Sequence, residues 1–242
     1  MKAFPLAILL TLALLLFPRC TARTDFTLES DGSGTVNLQI DLSPVLVRYY
    51  SDLATGFLPD FDPAHPRIFD LDALKARFAR EKNLTLLSAR TPSPERLEAS
   101  FAFQDLRTLF TDSNVGNAIT LSQTDREETI RIRLNRDTLN TIFALSPDTE
   151  SPIYRMLLPP PDGSLSEEDY RDQLVWALEE YASEEELSAT LRASRIQVRV
   201  HTPGPILRHR GGVMEGASTV RFTLPLLSVL TAPQAYELTY RR

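Results

Sequence analysis

The sequence predicts an α+β fold, a mostly antiparallel sheet with helices packed on one face and a helical insertion at about residues 137–193. Three observations predict it. Segments of period-two alternation, which place apolar side chains on one face of a strand, recur at both ends of the chain and in its middle. Segments of helical period, opened by Ser or Asp caps, lie between them. Turns marked by glycine and proline separate neighbouring strands by a few residues, a spacing that joins antiparallel strands and is too short for a parallel crossover.

Thr24–Ser30 and Thr35–Leu42 alternate, with Phe26, Leu28, Val36, Leu38, Ile40 and Leu42 apolar, and Asp31-Gly32-Ser33-Gly34 turns the chain between them. This is a β-hairpin. Its glycine-rich turn joins strand to strand and no Lys follows, so it is not a phosphate loop. Ser43 caps and Pro44 opens a helix with Leu46, Tyr49, Tyr50 and Leu53 on one face, ended by Gly56. Residues 57–69 form an irregular connection. Asp70-Leu71-Asp72 then starts a helix, where acids suit the positive dipole end. Leu84–Ala89 and Arg96–Phe103 read as strands joined through Pro92-Ser93-Pro94, and Asp105–Phe110 as a helical turn. Ala118–Gln123 and Thr129–Leu134 form another hairpin, with Ile130, Ile132 and Leu134 inward and Arg131 and Arg133 outward; Asp137–Leu145 is a short helix and 146–165 a proline-rich linker. Ser166 with Asp169 and Ser183 with Glu186 have capping-box spacing and open tandem helices, the first burying Tyr170, Leu174, Leu178 and Tyr181. Arg195–His201 is a strand with Ile196, Val198 and Val200 inward; Thr202–Pro205 is a turn and Arg208-His209-Arg210 an exposed basic loop. Ser218–Leu224 and Tyr236–Tyr240 are the last strands, expected to rejoin the first hairpin.

Residues 1–22 read as a secretory signal peptide ahead of a single domain, 23–242. Lys2 supplies the positive start, and Phe4–Phe17 is an apolar run of 14 residues, shorter than the roughly 20 that a membrane span needs. Two cleavage sites compete. Cys20 is a lipidation candidate, as the first residue of a lipoprotein, although Arg19 stands where a small residue is preferred. Ala22 is the candidate for ordinary signal cleavage, with Cys20 and Ala22 as the small-x-small pair. An uncleaved anchor is a third option. Leu224–Leu230 is the strongest later apolar stretch and is too short to span. The expected location is therefore the envelope side of a membrane, periplasmic or anchored through the N-terminus if Cys20 is lipidated.

Charge and residue usage narrow the chemistry. The chain carries a net −6; leaving out Lys2 and Arg19 of the leader, 24 basic face 32 acidic residues, a balance that argues against a nucleic-acid partner. The longest acidic runs, 166–169 and 183–186, read as helix starts on a solvated face. Cys20 is the only cysteine, so no disulfide forms within the chain. His65, His201 and His209 have no partners at metal-ligand spacing. His65 with Asp60 and Asp62 lacks the further ligands of a calcium loop. Nucleophile-elbow, zincin, Walker and dinucleotide motifs are absent, so the reading assigns no catalytic residue, metal or cofactor.

The two ends of the chain resemble the LppM-like family of bacterial envelope lipoproteins. The residues that carry the resemblance are Leu28-Glu29-Ser30-Asp31-Gly32-Ser33-Gly34-Thr35-Val36 after the leader, and Thr202-Pro203-Gly204-Pro205-Ile206, Gly211-Gly212-Val213, Gly216–Phe222 and Tyr236–Tyr240 near the end. Gly211-Gly212 stands where that family has Asn-Gly, and Phe222 where it has Trp. The resemblance implies an α+β envelope domain with an apolar cavity for lipid or glycolipid, and no catalytic residues. Members of that family often carry a C-terminal membrane helix; here attachment would rest on the N-terminus alone.

The expected function is thus that of an exported, non-enzymatic cell-envelope protein that binds a lipid or other apolar small molecule. Its rival is an interaction or scaffold module, docking an envelope protein through the proline-rich linker and the acidic helices. A hydrolase with an unrecognised site is the third reading; a cleft holding buried carboxylates and a histidine would favour it.

Overall fold

The computed structural model describes residues 21–57, 61–111, 118–135, 137–139, 158–160 and 165–242. The apolar leader, Cys20, and most of the expected helix and proline-rich linker between 137 and 165 lie outside the described residues. In chain order the elements are β1 (Thr21–Leu28), β2 (Gly34–Asp41), α1 (Pro44–Phe57), α2 (Leu71–Phe78), β3 (Leu84–Ser93), β4 (Arg96–Phe103), α3 (Leu106–Thr111), β5 (Ile119–Gln123) and β6 (Glu127–Leu134). After these come α4 (Glu167–Leu178), α5 (Glu184–Ala193), β7 (Arg195–His201), β8 (Ile206–Arg210), β9 (Gly212–Gly216), β10 (Thr219–Pro225), α6 (Leu226–Thr231) and β11 (Gln234–Arg241). The fold is α+β and mostly antiparallel, as expected.

Seven strands form one sheet in the order β3-β4-β2-β1-β7-β10-β9, and four form a second in the order β5-β6-β11-β8. The pairing of β1 with β7 is parallel, and the other pairings are antiparallel. β1 is therefore the middle strand of the large sheet, hydrogen-bonded to β2 on one side and β7 on the other. Register puts Ala22, Thr24, Phe26 and Leu28 on one face with Ile40, Leu38 and Val36 of β2 and Ile196, Val198 and Val200 of β7. The opposite face is polar. There Arg199 holds Asp25 at 3.0 Å and Glu215 at 2.7 Å, and Arg221 holds the same Glu215 at 2.6 Å. A sheet with one wet face and one dry face reads as clean alternation, which is why these strands were legible.

The second sheet covers part of the dry face: Phe222 of β10 meets Tyr236 of β11 edge to face, with ring centroids 5.8 Å apart. Helices cover the rest. α2 packs on β3, and its Phe78 meets Phe101 of the neighbouring β4 with ring centroids 5.4 Å apart. α4, α5 and α6 pack on one another, and α6 on β10. Arg48 of α1 donates to the Tyr181 carbonyl at 2.8 Å, tying α1 to the α4–α5 connection. The caps fall where expected: Asp70 accepts from Asp72 and Ala73, Ser166 from Asp169, and Ser183 from Glu186.

Four expectations need correction. The last strands do not both rejoin the first hairpin: β10 enters its sheet by pairing with β7, whereas β11 pairs with β6 in a separate sheet. Period-two alternation shows which face is dry but not which sheet a strand enters. Arg208-His209-Arg210 is no loop but part of β8, an edge strand exposed along 207–210, so burial leaves no alternation there to read. β3 runs on to Ser93, through bulges that absorb Pro92. α1 continues to Phe57, one residue beyond Gly56, because Gly56 does not take the positive φ with which a glycine ends a helix.

Two glycines of the end motifs have steric reasons. A Cβ on Gly34 would stand 2.1 Å from the Thr27 carbonyl and 2.5 Å from the Phe103 ring. Gly211, with φ +80°, sits between β8 at the rim of one sheet and β9 at the rim of the other.

Candidate functional site

The facing surfaces of the two sheets enclose an apolar cleft. Val198 and Val200 of β7 and Phe222 and Leu224 of β10 supply one wall; Ile130 and Ile132 of β6 and Tyr236 and Leu238 of β11 supply the other. Glu237 is the one charged residue in the lining. The strand registers explain the walls: Val200 lies opposite Val220 and Val198 opposite Phe222, while Ile132 lies opposite Tyr236 and Ile130 opposite Leu238. The free volume is about 60 Å³. That is room for about two waters, against roughly 300 Å³ or more for a ligand pocket. Ile130, Ile132 and Val198 are only half-buried, so the cleft is open to solvent at their edge. Chemically it can offer dispersion contacts and the removal of apolar surface from water, and its one lining carboxylate, Glu237, is held by Arg131 at 2.8 Å.

A larger groove of about 740 Å³ lies between Ala64–Lys75, which spans the irregular connection and the start of α2, and Thr91–Pro94, the end of β3 and the turn after it. Its walls are mixed: Pro66, Pro92, Pro94 and Phe69 beside His65, Arg67, Asp70 and Lys75. Its acids are engaged, since Asp70 caps α2 and Asp72 pairs with Lys75 at 3.8 Å.

The structure does not bring the histidines together. His65 is exposed and bonds Asp62 at 2.9 Å, which together with the Ala64 N–H holds the Asp62 carboxyl below its usual value. Asp60 lies outside the described residues. His201 meets Thr219 at 3.1 Å on the polar face of the large sheet, and His209 is exposed on β8. Among the described residues no group of three or more His, Cys, Asp or Glu is placed to hold a metal ion. Cys20 lies outside the described residues, and Ala22 is buried in β1. No described helix is long and apolar enough to cross a membrane.

Glu128 is a buried carboxylate that sequence reading did not single out, because its acid neighbours Asp125 and Glu127 made it look like surface. Tyr240 donates to it at 2.8 Å and Arg107 at 3.2 Å, and Arg242 stands 4.0 Å away. The cluster fastens α3 and the chain's last residue to the small sheet. Burial first, and the carboxylate second, raise the Tyr240 hydroxyl well above the usual phenol range. Trp176, the one tryptophan of the chain, is 72% exposed on α4.

No protein-family model matches the chain, and no curated protein matches it. Among solved structures it is similar to the folded domain of Mycobacterium tuberculosis LppM, determined by NMR, with a TM-score of 0.42 and 12% identity over 93% of this chain and 91% of that one.

Proposed function

We propose that this is an exported envelope protein that takes an apolar ligand, a lipid chain or a molecule like one, between its two sheets. The observation that carries the reading is the cleft, whose walls from both sheets are apolar and which is open at half-buried isoleucines. Its resting volume admits no chain, so binding parts the sheets at the β6 side, where the covering is thinnest. The leader and the resemblance at the chain ends support the envelope location. The distant likeness to an LppM domain fits it without adding a ligand.

The test has two parts. Purified protein is extracted with organic solvent and the extract examined by mass spectrometry, and a pyrene-labelled fatty acid is titrated into delipidated protein. Saturable binding is expected, weakened about tenfold or more in Ile132→Trp, whose ring fills the cleft. No co-purifying lipid together with no saturable binding sinks the reading. A second reading, docking of an envelope protein, is favoured by Trp176 alone. In-cell crosslinking through position 176 checks it, and the absence of a reproducible partner counts against it.

A further inference from the structure

We infer that Thr21 and Ala22 belong to the folded domain and are retained when the leader is removed, so that processing falls on the N-terminal side of Thr21 and not after Ala22. This stands apart from the ligand reading, which holds for either start.

The argument begins with what a cut after Ala22 would take away. β1 is the middle strand of seven, and Thr21, its first described residue, is already paired on both sides, opposite Asp41 of β2 and Arg195 of β7. Ala22 follows, opposite Ile40 on one side and Ile196 on the other, and is 1% exposed. Ile40 and Ile196 are themselves 1% and 2% exposed. Cutting after Ala22 removes two of the eight residues of β1. It takes the backbone partners of β2 and β7 away at that level and opens the interior beside both isoleucines. It also creates a charged α-ammonium at Arg23, between Gln39 and Gln197, within the sheet and not at its end. Signal cleavage precedes folding, so the fold does not block the cut. What matters is that the product would lack part of its central strand. Edge strands tolerate such trimming, whereas a strand paired on both sides has no slack to take it up.

The alternation supports the same boundary. Ala22, Thr24, Phe26 and Leu28 continue one inward face without interruption, and Arg23 and Asp25 continue the outward one. The strand pattern therefore reaches back through Ala22, so that this small residue before Arg23 serves the sheet.

The full-length chain with its own leader is expressed in an exporting bacterial host, and the mature protein is measured by intact mass. A start at Thr21 or any residue before it is expected; a start at Arg23 or later overturns the inference. Ala22→Gly gives an independent reading, because a peptidase that accepts Ala before the cut also accepts Gly. With Ala22 retained, the mature variant is one methylene lighter and its melting temperature falls by about 2–4 °C. With Ala22 removed, variant and wild type give identical mature proteins, equal in mass and melting temperature, and the inference fails.

Discussion

The two sheets share a core but differ in how well they are closed. In the large sheet Val36, Ile40, Leu97 and Phe101 are each 1% exposed, and strands flank β2 and β4 on both sides. In the small sheet Leu121, Ile130 and Ile132 have the same inward direction but remain half-buried. The pattern of apolar residues is alike in both, so the difference lies in coverage. The large sheet has helices and a second sheet on its dry face; at the β6 side the cleft stays open. This assigns stability to the large sheet and adaptability to the small one.

The sharpest way to break that division is a pair of truncations. Phe101→Ala empties a site packed against Phe78 and should cost about 3–5 kcal/mol. Ile130→Ala removes a side chain that water already reaches and should cost about 1 kcal/mol. Urea denaturation of both variants measures the contrast. Equal costs would mean that the small sheet is as fully packed as the large one, and the cleft would then be no more than a packing gap.

A second test uses pH. Burial raises the Tyr170 hydroxyl on α4; burial and then Glu128 raise that of Tyr240 on β11. A group whose pKa is raised by folding contributes its stability in full below its unfolded value, about 10 for tyrosine, and loses it as pH rises toward the folded value. Stability should therefore hold to about pH 10 and fall above it. Tyrosinate absorbance and circular dichroism, followed together, should change in one step for these two residues. Tyr240→Phe should soften the alkaline loss, since Tyr170 alone remains of the pair. An alkaline profile unchanged by that substitution would separate Tyr240 from the stability of the small sheet.

Legibility in the sequence followed the same division. The turn of the β1–β2 hairpin, the capped starts of α2, α4 and α5, and the span of β7 were legible almost residue for residue, whereas β1 starts at Thr21, three residues before the expected Thr24. Each has a local cause: a wet face opposite a dry one, a Ser or Asp at the cap, or a glycine in the turn. β8 was missed because Leu207, Arg208, His209 and Arg210 are all exposed, so nothing alternates. The split into two sheets was missed because it depends on β11 choosing β6, a pairing more than a hundred residues apart that no local pattern encodes. The cleft was foreseen only in kind. Val198, Val200, Ile130 and Ile132 were each read as inward, yet that they face one another across a gap follows from the packing of the sheets, and Glu128 was hidden among acids.

The smallest effect expected is also the most specific to the large sheet's polar face. Arg199 and Arg221 stand directly opposite each other on β7 and β10, a pairing of like charges that destabilises a sheet on its own. Glu215 of β9 resolves it by holding both guanidinium groups, Arg221 at 2.6 Å and Arg199 at 2.7 Å, and the same bonds keep its carboxyl below the usual glutamate range. Glu215→Gln keeps the shape and removes the charge, leaving the two arginines with Asp25 alone. The melting temperature should fall slightly at low ionic strength, and the difference from wild type should shrink as salt is added, because the exposed repulsion is screened. A loss that salt does not change would mean that Glu215 acts through packing at the β9 edge and not through charge. A loss as large as that of Phe101→Ala would place part of the sheet's stability on its wet face, against the division drawn from the buried one.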